Sequence, residues 1–165
     1  MRKMILSLLM LVGAMGVARA EGCLGPGEPL FHCMVKGGAK TVGLCLQDDA
    51  VYYHFGPKGK APEMVLARPV AKAFMRPWNG IGRTLSEDAA LSYKGYSYTV
   101  WYAIDRLTTE AGVTGGVIIT RADQTMAELT CDAGLISVTD MQPLYEAKAA
   151  AGQCWDPAAF QWGPC

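Results

Sequence analysis

Only two histidines, His32 and His54, are available as general bases or imidazole ligands. Each falls in a segment that reads as a strand, beside Phe31 and Phe55 respectively, which suits a packed or surface side chain. Acidic pairs occur at Asp48-Asp49 and Glu87-Asp88. Glycosidases hold two carboxyls ~5–9.5 Å apart across a sugar, but adjacency in sequence does not create that geometry. Asp48-Asp49 reads as a hairpin turn and Glu87-Asp88 as a solvated strand edge. G-x-S-x-G, HExxH and CxxC are all absent. Gly56-Pro57-Lys58-Gly59-Lys60 lacks the spacing and the Ser or Thr of a phosphate loop, and reads as a connection. No catalytic residue, cofactor or metal site is assigned.

Aromatic residues are the remaining candidates. Tyr96, Tyr98 and Tyr102 alternate onto one face of a strand with Trp101 on the other, and Trp155 and Trp162 stand in the tail. Such a stripe is either core or a binding face, since aromatics concentrate at binding hot spots.

Six cysteines, Cys23, Cys33, Cys45, Cys131, Cys154 and Cys165, read as three disulfides, for which 15 connectivities exist. Cys154 and Cys165 are close neighbours in the tail and are expected to pair. The connectivity of the other four stays open. A catalytic thiol is disfavoured in an oxidising compartment.

The elements that would carry these residues are mostly strands. Phe31–Val35, Thr41–Leu46 and 51–55 alternate with period two around turns at 36–39 and 47–49. Residues 22–29 are irregular, 56–60 break the pattern, and Glu63–Leu66 is a further short strand. Residues 69–83, with Pro69, Pro77, Gly80 and Gly82, read as a long ordered loop. A two-residue turn at Lys94-Gly95 would set Tyr93 opposite Tyr96, Leu91 opposite Tyr98 and Ala89 opposite Val100. A second hairpin joins 117–121 to 126–131 through 122–124, with Ala127, Leu129 and Cys131 facing inward. Residues 143–151 form one helix, with Pro143 at its start and Gly152 closing it. Short strands with regular turns and one late helix predict a mainly β fold, an antiparallel barrel or sandwich braced by disulfides.

Met1-Arg2-Lys3, the apolar run 4–17 and Ala18-Arg19-Ala20 have the form of a secretory signal peptide cleaved after Ala20. The mature chain, 21–165, would be one β-rich domain with a Cys/Trp tail at 152–165, periplasmic or secreted, with no membrane anchor left after cleavage. Losing Arg2, Lys3 and Arg19 leaves twelve basic against fifteen acidic side chains, a formal charge of −3. The scattered basic residues make no stripe for a phosphate backbone, so nucleic acid is not an expected partner.

Phe31-His32-Cys33, Lys40-Thr41-Val42-Gly43-Leu44-Cys45, Tyr53-His54-Phe55-Gly56, Gly95-Tyr96-Ser97-Tyr98, Gly116-Val117 and Leu129-Thr130-Cys131 occur in this order. The set resembles an uncharacterised family of small secreted or periplasmic Gram-negative bacterial proteins, which carries no assigned activity. In size, leader and cystine-braced β architecture the chain also resembles c-type lysozyme inhibitors. Those present a Ser-Gly loop; no Ser-Gly occurs here. The expected function is that of a non-enzymatic binding domain for an envelope or extracellular protein, lysozyme inhibition being one form of it. An envelope hydrolase using carboxylates and a structural envelope protein are the alternatives.

Overall fold

Short amphipathic strands must bury one face each, and here they do so by stacking two antiparallel sheets. A computed structural model describes residues 21–108 and 112–165; the leader assigned to 1–20 lies outside the described residues. The first sheet has the order β10-β1-β2-β3-β4, built from β1 (Glu28–Val35), β2 (Lys40–Gln47), β3 (Ala50–Pro57), β4 (Met64–Pro69) and β10 (Ile136–Thr139). The second has the order β5-β6-β7-β8-β9, from β5 (Phe74–Arg76), β6 (Thr84–Tyr93), β7 (Tyr96–Asp105), β8 (Val113–Arg121) and β9 (Gln124–Thr130). One helix, α1 (Gln142–Ala150), leads into a two-stranded ribbon, β11 (Gln153–Asp156) with β12 (Gln161–Pro164). The sheets do not close, so of the two expected architectures the sandwich is the one formed.

Alternation decides what faces the core. Phe31, Leu44 and Tyr53 form one row across β1, β2 and β3 and are all buried. Leu91, Val100 and Tyr102 answer them from the second sheet, and the Tyr53 and Tyr98 rings meet across the gap at 5.7 Å. Removing each such apolar side chain from water contributes ~1.5–3 kcal/mol. A Cβ on Gly115 would lie 2.8 Å from the Trp101 carbonyl oxygen and 3.1 Å from the Phe31 ring, which is why that position carries no side chain.

The Lys94-Gly95 hairpin has the expected register, Tyr93 to Tyr96, Leu91 to Tyr98 and Ala89 to Val100. Both turn residues have positive φ, 48° at Lys94 and 80° at Gly95, as this tight turn requires. Cys154 pairs with Cys165 as expected; the other bridges are Cys23–Cys45 and Cys33–Cys131.

Four expectations need correction. Residues 69–83 are not one loop: a 3-10 turn at Val70–Lys72 leads into β5, which hydrogen-bonds along β6, leaving only 77–83 irregular. Glu87-Asp88 is not a solvated edge, because β5 covers that side of β6 and Asp88 is 5% exposed. Ala127 shares the face of Leu129 but is exposed, lying on the edge strand β9 toward the hairpin end. The turn of that hairpin is Ala122-Asp123 alone, since Gln124 already pairs with Arg121.

Candidate functional site

An aromatic groove lies where three elements meet: the end of β5, the 77–83 loop, and the tip of the β11–β12 ribbon. Pro77 and Gly80 keep the loop out of regular structure, and the Asn79 side-chain oxygen accepts the Ile81 N–H at 3.0 Å, turning the chain locally. The Cys154–Cys165 bridge and the Trp155–Trp162 cross-strand pair hold the ribbon. Together they frame a groove of about 530 Å³ lined by Trp78, Ile81, Trp155 and Phe160 together with Arg76 and Ser86. A second hollow of about 470 Å³ shares Trp78 and Trp155 and extends past Glu87 and Tyr145.

An aromatic lattice supports this lining. The Trp155 ring stands 6.4 Å from Phe160, 5.7 Å from Trp162 and 6.1 Å from Phe74. The Trp162 indole N–H donates to the Met75 carbonyl at 2.6 Å, so the ribbon docks on β5. On the loop side, the Arg106 guanidinium lies 4.5 Å from the Trp78 ring centre. The Trp78 backbone N–H donates to Glu87 Oε1 at 3.4 Å. Phe160 has φ +51° and is 64% exposed, an unusual backbone conformation for a bulky residue held out in solvent.

The acids at the groove do not form a catalytic pair. Glu87 and Asp88 are consecutive on a strand, so they project to opposite faces. Glu87 accepts the Tyr102 hydroxyl on the inner side, while Asp88 pairs with Arg76 on the outer side. Burial pushes the Asp88 carboxyl up, and the Arg76 guanidinium pulls it back down. Burial, then the Glu87 carboxylate, hold the Tyr102 hydroxyl protonated well above the ordinary tyrosine range. Among the described residues no three His, Cys, Asp or Glu side chains are grouped to hold a metal ion.

The six aromatic candidates separate. Tyr98 and Tyr102 belong to the core. Tyr96 lies at the far end of β7 under the Arg121 guanidinium, 5.0 Å from its ring centre. Trp101 is half-buried on the outer face of the second sheet, its indole N–H without a partner. Trp162 is a strut, and Trp155 alone of the six lines the groove. Sequence reasoning did not count Trp78, Ile81, Arg76 or Phe160 among the candidates. A tryptophan between Pro77 and Gly80 was the usable signal, since such a loop presents what it carries.

No protein-family model, curated protein or solved structure matches this chain.

Proposed function

We propose that this is an exported, non-enzymatic binding domain whose Trp78–Trp155–Phe160 groove takes an extended segment of an envelope or extracellular protein. The observation that carries the reading is Phe160 itself, held in the left-handed region with its ring exposed at the mouth of the groove. A bulky residue in that conformation costs ~1–2 kcal/mol, and such cost is concentrated at ligand clamps. Tryptophan rings with arginine and small hydroxyl residues among them suit a peptide, whose apolar side chains bury between rings while its backbone meets polar groups. Glu87 and Asp88, back to back on β6, favour this over a carboxylate hydrolase.

The resemblance to c-type lysozyme inhibitors gives one concrete partner to try. The purified mature chain is mixed with lysozymes from several sources and residual muramidase activity is followed; full activity at excess protein ends that version. The wider reading is tested by immobilising wild type, Trp155→Ala and Phe160→Ser and comparing what each retains from envelope extract. A partner held by wild type and released by both variants supports the groove; equal retention by all three overturns it.

A further inference from the structure

The outward face of the first sheet carries a third hollow, of about 370 Å³, unrelated to the aromatic groove. It lies between residues 21–24 and the 57–62 connection, and its lining includes Glu21, His32, Thr41, His54, Lys58 and Lys60. The Cys23–Cys45 bridge fastens the 21–24 segment over β2.

His32, Gly43 and His54 stand in one row across β1, β2 and β3. The His54 ring reaches over β2 into the space Gly43 leaves free: a Cβ on Gly43 would sit 2.1 Å from His54 Nε2. The missing side chain is thus what lets the His54 ring lie over β2, on the side where His32 lines the same hollow, and charge on His32 would disfavour charge on His54. His54 is 7% exposed and its Nε2 has no hydrogen-bond partner, the Gly22 backbone being the polar group that the ring otherwise meets. Buried polar atoms are almost always paired, so an orphaned imidazole nitrogen calls for an explanation. Next to it, His32 Nδ1 is hydrogen-bonded to Ser137 Oγ at 2.7 Å, the kind of outer contact that fixes a ligating histidine. Burial lowers the pKa of both rings, so both are neutral and keep a lone pair at neutral pH.

We propose that His32 and His54 together bind one transition-metal ion of the imidazole-preferring class, zinc, nickel or copper(II). Two imidazoles are the whole protein cage, so the remaining positions are open to water or to an incoming donor. With Nδ1–H donating to Ser137, His32 offers Nε2 to the ion. The Glu21 carboxylate, 3.8 Å from His32 Nδ1, favours a cation there, and the Lys58 ammonium opposes it.

The test is calorimetric titration of the mature chain with zinc chloride at neutral pH, with folding of each variant checked by circular dichroism. Wild type is expected to bind one ion saturably, His32→Gln and His54→Gln to lose that binding, and Lys58→Gln, at an exposed position, to bind more tightly. The proposal is overturned by absence of saturable binding in wild type, or by its persistence in either folded histidine variant. Should neither histidine variant fold, Lys58→Gln decides: tighter binding supports the site, and unchanged or weaker binding rejects it.

Discussion

The Lys148 ammonium lies 5.0 Å from the centre of the Trp162 ring, and it donates to the carbonyls of Val70 at 3.1 Å and Ala73 at 2.6 Å. Lys148 is 1% exposed. One side chain of α1 thereby ties the Trp162 strand of the ribbon to the 3-10 turn and to Ala73, the residue just before β5.

This lysine gives the molecule an alkaline signature. Burial lowers its pKa from 10.5 to about 8, so between those values the unfolded chain keeps a proton that the folded one has released. Stability should rise with pH across that interval, by up to ~3 kcal/mol. Above the ordinary tyrosine pKa of 10.0 the trend reverses, because buried Tyr53 and Tyr102 resist ionisation only when folded. Urea unfolding from about pH 8 to 10 reads the effect. Lys148→Met should abolish the slope; two buried carbonyls lose their donor while the cost of burying the charge is relieved, so stability at neutral pH should change by no more than ~2 kcal/mol.

Acid should loosen the other side of the molecule. Burial holds His32 and His54 below the ordinary 6.5, so on acidification the unfolded chain takes up protons first. The stability present above 6.5 is lost as pH falls toward the folded-state values and then levels off. Denaturation midpoints between pH ~7 and ~5 should decline in wild type and flatten in the His32→Gln/His54→Gln double variant.

At Phe160, stability and binding should part company. Phe160→Gly removes left-handed strain and one edge contact with Trp155, two small effects of opposite sign. Unfolding free energy should move by no more than ~0.5 kcal/mol, while retention of the groove's partner is lost. A large stability loss with binding intact would mean the ring is only a brace.

Disulfide removal should rank by loop length. Cys33–Cys131 closes a separation of 98 residues and joins β1 to the end of β9, whereas Cys154–Cys165 closes 11. The double serine variant of the first pair should lose ~4–5 kcal/mol and that of the second ~2–3 kcal/mol, as measured by urea midpoints.

Local pattern made the strands legible. Tyr93 and Tyr96 flank a two-residue turn within a period-two run, so their pairing needs no distant information. Phe74-Met75-Arg76 is too short to show a period and is bounded by prolines, so β5 emerges only from its partner β6. The burial of Asp88 depends on Arg76, placed beside it by that same pairing. The two histidines looked unrelated because 22 positions separate them, yet β2 sets them in one row. Gly43, an isolated glycine inside a strand, was the available cue, because such glycines mark close approach of another group.

The back-to-back acids on β6 also act as a proofreading device during assembly. A slip of one position against β7 would turn Asp88 inward among apolar side chains, away from Arg76, and take Glu87 from Tyr102. A two-letter acidic word therefore selects one alignment of the longest hairpin and penalises its nearest competitors.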